Sequence, residues 1–268
     1  MKRAFTSLAL CALLCGACTR VPITGRSQLN LIPESTMDQM AVEQYRSFLS
    51  QNKAVSSNSS RDASMVQRVG SRIAGAVTQY LRTNGAADRV SDYKWEFNLV
   101  ENKEVNAWCM PGGKVVVYTG ILPVTKDETS LAIVLGHEIA HAIARHSNER
   151  MSQQLGLQGL QMLGDAALMK KDSRYVNTFD QLFGIGTQVG VTLPHSRAQE
   201  SEADHLGLIF AAMAGYDPRQ AVPFWQRMAT LGGGSKVPVY LSDHPDDATR
   251  IAQIQKWVPE AMKYYKPH

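Results

Sequence analysis

The run Ser130 to Ala144, S-L-A-I-V-L-G-H-E-I-A-H-A-I-A, constrains this chain more than any other stretch. It is apolar enough to sit in the middle of a core, yet it carries three ionisable side chains, His137, Glu138 and His141. Burying two imidazoles and a carboxylate is costly unless each is bonded or bound to something. On a helix, positions four apart lie one above the other, so His137 and His141 can close on a single metal ion with Glu138 beside it. Zinc held by nitrogen and oxygen ligands with one position open brings the pKa of a bound water toward neutrality, and a neighbouring carboxylate can take its proton. Glu138 is the candidate base. Upstream, Thr125-Lys126-Asp127-Glu128 has the T-x-x-E form of a capping box and predicts a helix start about three turns before the histidines.

A catalytic zinc needs a further protein ligand. Ser196 to Asp204, S-R-A-Q-E-S-E-A-D, opens a predicted helix that runs to a Gly215 cap, with Glu200 and Asp204 four apart on one face. Glu200 can complete the metal set, and Asp204 can accept a ring N–H from a ligand histidine and so fix its tautomer. Glu202 lies about 200° round from Glu200 and faces largely the other way. Taken alone, an acidic helix start is equally suited to solvent and the helix dipole, and the residues leave that alternative open. His195 and Arg197 adjoin this helix and are candidate oxyanion donors, since a tetrahedral intermediate needs a donor besides the metal. His146 falls about half a turn round a continued helix from His137 and is expected to point away from the metal. Pro223 is expected to bend the helix begun at Asp217-Pro218.

With 268 residues, 44% hydrophobic and 19% charged, the chain reads as globular with a sizeable core. A net charge of only +4, with no basic run and no aromatic interleaving, gives no footprint for nucleic acid. Met1-Lys2-Arg3, the apolar stretch Ala4 to Leu14 and Gly16-Ala17-Cys18 read as a bacterial lipoprotein signal peptide over residues 1–17, with acylation of Cys18. Cys15 stands where that pattern usually has Leu, so an ordinary secretory signal is the alternative. With Cys18 acylated, only Cys109 remains in the body and no intramolecular disulfide forms. Residues 18–33 read as an extended tether and 34–268 as one domain.

Within that domain, Glu34 to Lys53, capped by Ser35 or Thr36, and Asp62 to Arg82, stopping at Asn84-Gly85, carry apolar stripes at helical spacing. Between residues 93 and 120 the period changes to two: Trp95, Phe97 and Leu99 alternate with polar residues. Val105 to Met110 and Lys114 to Thr119 flank Pro111-Gly112-Gly113, which suits a type II turn and a hairpin. Asn106-Ala107-Trp108 is the candidate edge strand, able to hold an extended peptide through its backbone. Residues 151–191 show no clean period and read as short helices beside or over the cleft.

H-E-I-A-H followed by S-R-x-x-E-x-E-A-D, together with N-A-W-C-M-P-G-G at Asn106 to Gly113, Gly215-Tyr216-Asp217-Pro218 and Asp243-His244-Pro245, resembles the gluzincin metallopeptidases. These include the CAAX prenyl protease, HtpX, BepA, the LoiP lipoprotein peptidases and the mitochondrial inner-membrane stress protease. The likeness covers nearly the whole mature chain. It implies an α+β fold, a zincin-like (minigluzincin) single domain, mostly helical, with a small sheet whose edge strand borders the cleft. It also implies one Zn2+ per chain held by His137, His141 and Glu200, with Glu138 as base and Asp204 as support. By likeness to BepA, His244 is a removable, inhibitory fourth ligand; the residues alone allow a loop or capping role. The implied activity is zinc-dependent endopeptidase action on unfolded or misassembled envelope proteins, at the periplasmic face of the outer membrane. Attachment would be through lipid on Cys18. A chaperone-like binding module with a capped or structural zinc, and a zinc amidase acting on cell-wall peptides, are the rivals.

Overall fold

The computed structural model describes residues 18–162, 196–232, 238–244 and 249–267. The leader, His195 and residues 163–191 of the expected insert lie outside the described residues. Among those described, no helix is long and apolar enough to cross a membrane.

Residues 18–33 are not extended. β1 (Cys18–Arg20) and β2 (Ser27–Leu29) pair antiparallel, and Val21 and Ile32 are buried. Extended chain cannot hide its apolar side chains, whereas a hairpin docked on the body does. α1 (Glu34–Gln51) follows Pro33 without the side-chain cap expected from Ser35 or Thr36. α2 (Arg61–Thr83) is capped by Ser60, buries Val66, Val69, Ile73, Val77 and Leu81, and ends at Asn84-Gly85 as its residues predict.

β3 (Ala54–Val55), β4 (Glu96–Val100), β5 (Ala107–Met110) and β6 (Lys114–Tyr118) form one sheet in the order β3-β4-β6-β5. β4 runs parallel to β6, and β5 antiparallel to it. The β5–β6 turn closes with Gly113 N–H donating to the Met110 carbonyl at 3.2 Å, and Gly112 takes φ +72°. That left-handed position is what a type II turn asks of its third residue, and only glycine adopts it freely. β6 is buried on both faces: Val115 and Val117 face the core shared with α2, while Val116 and Tyr118 pack with Met37, Tyr45 and Phe48 of α1.

The sheet leads through the single turn Leu122–Thr125 into α3 (Glu128–Ile143). Its cap is Asp127, accepting from Ser130 N–H at 2.7 Å, rather than the expected Thr125. Lys126 at φ +66° separates Thr125 from the helix, so the T-x-x-E spacing never meets helical geometry. α4 (His146–Met162) follows after a break at Arg145. α5 (Arg197–Met213) opens with a complete capping box between Ser196 and Gln199. α6 (Ala221–Gly232), α7 (Val239–Asp243) and α8 (Arg250–Ala261) complete the described helices. α6 starts at Ala221, directly after the 3-10 turn Pro218–Gln220, so Pro223 lies in its first turn, where a missing N–H costs least.

α3 and α5 cross in near backbone contact. A methyl group added at Gly136 would lie 2.6 Å from the Gly207 carbonyl oxygen, and one at Gly207 would lie 2.8 Å from His137 N. Both atoms are backbone and cannot step aside. Gly207→Ala is therefore expected to destabilise the fold by about 1–3 kcal/mol despite alanine's better helix propensity. Gly75→Ala, in α2 with nothing within 4 Å of the added carbon, should stabilise it by about 0.5–1 kcal/mol. Denaturant unfolding of the two variants reads both signs.

Candidate metal centre

The crossing sets the last turns of α3 against the first turns of α5, and side chains from both meet there. His137 Nε2 and His141 Nε2 are 3.0 Å apart. Glu200 places Oε2 3.4 Å from the first and Oε1 3.3 Å from the second. His244, which ends α7, brings Nδ1 to 3.2 Å from His137 Nε2 and 3.1 Å from Glu200 Oε1. These four residues form a buried group able to hold a metal ion. Ligands at zinc's usual bond length of about 2.0–2.1 Å sit about 3.3 Å from one another around a tetrahedron, so the donor set fits zinc. Glu200 Oε2 and Glu138 Oε1 are buried without a hydrogen-bond partner, which costs free energy unless an ion or water completes them.

The fields around these groups follow from burial and neighbours. Burial opposes charge on Glu200, but the His244, His137 and His141 rings hold its carboxyl well below the usual range. Burial likewise opposes charge on His137, yet Asp204 and Glu200 raise its pKa to about 9. His141 is pushed well below the ordinary histidine value by burial. Glu138, buried next to the cluster, has its pKa raised by desolvation, with His244 and His137 pulling the other way. Its Oε1 is 3.6 Å from His244 Nε2.

Asp204 does what its spacing from Glu200 predicts. Its Oδ1 lies 3.0 Å from His137 Nδ1, so it accepts that N–H and leaves the Nε2 lone pair for the metal. Arg250 Nη2 donates to the same oxygen at 2.7 Å, and its guanidinium lies 3.4 Å above the Trp225 ring. The sequence offers no signal for Arg250: an arginine at a helix start reads as an ordinary solvated charge until the fold buries it. Tyr240, fully buried beside Glu138, is likewise invisible beforehand.

His146 stays out of the metal-ligand group, as expected, but the geometry behind that expectation does not hold. Arg145 takes φ +56°, the chain leaves the helix, and His146 starts α4 with its Nδ1 2.8 Å from His141 Nδ1. The expectation counted round a helix that does not continue. Glu202 stays out of the ligand set, as its place on the wheel requires, but it is not solvated: it accepts from His146 Nε2 at 3.0 Å and Arg26 Nε at 2.7 Å. Burial would raise the Glu202 carboxyl, and His146, Thr24 and Arg26 together bring it down to about 2.

Arg197 is exposed at the first position of α5 and is not gathered with the cluster; His195, the other expected oxyanion donor, lies outside the described residues. Its position in the first turn turns it outward while Glu200 turns in. β5, with Ala107 and Trp108 of the expected edge, is the outer strand of the described sheet, and its backbone alternates in direction. Asn106 O accepts from Tyr118 N–H, so Trp108 and Met110 also face β6, and Ala107 and Cys109 turn their backbone groups outward. The Ala107 N–H is taken by Asn106 Oδ1 at 2.8 Å, and the Trp108 ring packs on Phe48 and Tyr45. The backbone groups of β5 that pair with neither β6 nor a side chain among the described residues are therefore the Ala107 carbonyl and both groups of Cys109, and both residues are buried.

Two histidines from one helix, a glutamate from a second and a free carboxylate beside them define a gluzincin-type zinc metallopeptidase site. The pattern of Peptidase family M48 matches residues 38–258. The mitochondrial metalloendopeptidase OMA1 of Schizosaccharomyces pombe is 35% identical over 243 residues, which is 90% of this chain and 67% of that protein. OMA1 of Arabidopsis thaliana is 38% identical over 188 residues, 69% of this chain and 36% of its own length. The beta-barrel assembly-enhancing protease of Yersinia pestis is 30% identical over 201 residues, 72% of this chain and 40% of its own. The chain spans about two thirds of the first relative and less than half of the other two. It belongs to peptidase family M48, and zinc is the metal its donor set fits.

In the metal-free protein His137 keeps a proton up to about pH 9, and a bound metal must displace it. Apparent zinc affinity should therefore rise with pH, by up to roughly tenfold per unit between neutrality and that value, and flatten above it. Asp204→Asn should lower zinc affinity by about 10–100-fold and move the plateau to lower pH. Chelator competition across a pH series measures both effects.

Proposed function

We propose that this protein is an endopeptidase that cleaves unfolded or misassembled polypeptides, held as an added strand along β5. The observation that carries this reading is the buried Glu138 carboxylate set beside the His137–His141–Glu200 cluster, in a fold whose described sheet ends in β5. Zinc bound by that cluster supplies an electrophile for the scissile carbonyl and acidifies a water. Glu138 takes the proton of the attacking water and returns it to the leaving amine; its raised pKa suits both directions. Asp204 keeps the His137 ring oriented, with Arg250 behind it. Pairing through the Ala107 carbonyl and the Cys109 backbone reads main chain rather than side chains, which suits substrates that have lost their folds.

The same reading makes the described arrangement a closed one. His244 fills the fourth corner of the donor set, where substrate and water must come. The turn carrying it is tied to the approach of the edge strand by Tyr240 N–H donating to the Val105 carbonyl at 3.1 Å. One movement of α7 would free both the metal position and the strand. The residues of the leader further support acylation of Cys18 and work at the periplasmic face of the outer membrane, with Cys18 opening the docked hairpin.

Zinc-loaded protein should cleave casein, chelator should stop it, and Glu138→Gln should bind zinc yet lose at least about a hundredfold in rate. Cleavage of muropeptides with casein left intact would overturn the endopeptidase reading. Full cellular function of Glu138→Gln would instead favour a binding module. His244→Ala should raise the rate of casein cleavage; an unchanged or lower rate counts against the plug.

A further inference from the structure

A second buried polar cluster lies behind the metal ligands, and peptide hydrolysis as described makes no use of it. Glu202 Oε2 accepts from Arg26 Nε at 2.7 Å and from His146 Nε2 at 3.0 Å, while its Oε1 accepts from Thr24 Oγ1 at 2.5 Å. Arg26 also grips Glu149 through two bonds, at 2.7 and 2.8 Å, and Gln199 donates to the same carboxylate at 2.8 Å. Thr24 and Arg26 belong to the turn and strand side of the N-terminal hairpin, Glu202 and Gln199 to α5, and His146 and Glu149 to α4. On its other side, His146 Nδ1 is 2.8 Å from Nδ1 of His141.

Proton positions along this line follow from one fixed end. A carboxylate can only accept, so His146 carries its proton on Nε2. Its Nδ1 then holds a lone pair, and at 2.8 Å the facing His141 Nδ1 must be the N–H that donates to it. His141 is left with its lone pair on Nε2, the atom that points at His137 and Glu200. Asp204 imposes the same tautomer on His137 directly, and here an interposed histidine transmits it.

We propose that His146 and Glu202, clamped by Arg26 and Thr24, are positioning residues that set the tautomer and ring orientation of His141, so that the N-terminal hairpin is a working part of the metal centre. This rests on the zinc reading of the cluster. If Glu202 cannot act as a fixed acceptor, the His146 proton can move to Nδ1. His141 then takes its own proton on Nε2, where it competes with the metal.

The test uses the full chain, with zinc affinity from chelator competition and visible absorption of the Co2+-loaded protein as readouts. Glu202→Gln is expected to weaken zinc binding about 10–100-fold and to change the Co2+ bands. Arg26→Ala should do the same to a smaller degree while leaving the relay's own residues in place. Glu149→Gln loosens the hairpin by removing the other partner of Arg26 but leaves Glu202 and His146 bonded; it should lower the unfolding temperature and keep the Co2+ spectrum. Wild-type affinity and spectrum in a folded Glu202→Gln variant would overturn the relay. Should that variant not fold, unchanged affinity in Arg26→Ala, or a Glu149→Gln spectrum altered as much as that of Arg26→Ala, would overturn the hairpin's part in it. A wild-type chain that takes up neither zinc nor Co2+ defeats the metal reading itself, a different failure from loss in the variants alone.

Discussion

Everything at the site depends on how closely two helices can approach. Side chains on Gly136 or Gly207 would meet backbone atoms at 2.6–2.8 Å, so their absence lets α3 and α5 cross at a distance most helix pairs cannot reach. At that distance the short side chains of Glu200 and Asp204 reach the imidazoles of His137, and Glu200 reaches His141 as well. A wider crossing would leave the carboxylates short of the metal position. The packing contact and the coordination geometry are thus one constraint seen from two sides.

The second constraint is burial. His137, Glu138, His141, Glu200 and His244 are each at most 4% exposed, in a setting where a lone charge is severely penalised. The structure answers with complementary pairs: Asp204 for His137, Arg250 for Asp204, Glu202 for His146 and Arg26 for Glu202. Each partner lies on a different element from the group it serves. Polar satisfaction therefore ties together α3, α4, α5, α8 and the N-terminal hairpin, beyond what apolar packing alone would do. The same economy shows at His244, whose ring lies 3.1 Å from Glu200 Oε1 and favours the charged carboxylate.

Much of this was legible in the chain because it rests on local periodicity. The stripes of α2 and the type II turn at Gly112 follow from spacings within one element. So does the pairing of His137 with His141. The failures have a common cause. Thr125 missed its capping role because Lys126 at φ +66° broke the register, and the contact of His146 with the back of the His141 ring went unforeseen because Arg145 at φ +56° ended the helix. Residues 18–33 read as an extended tether from Pro22, Gly25 and Pro33, yet they dock, with Arg26 bonded to Glu149 and Glu202 far along the chain. Ala107 and Trp108 lie in the outer strand of the described sheet, as expected, but strand alternation turns the Trp108 backbone to β6 and leaves only the Ala107 carbonyl of that stretch unpaired.

The sequence by itself pointed to His137 and His141 as a metal pair, because their chemistry and their spacing of four are properties of one helix, while Glu200 on a second helix was left open between a ligand and a solvated helix start. It also determined that those helices had to be buried, because their flanks are apolar. Only the tertiary structure decided what stands behind each ligand and what stands in front of it. Arg250, Tyr240, His146 and Arg26 become parts of the site through long-range contacts. In a linear reading, a residue bonded across the fold looks the same as one in water.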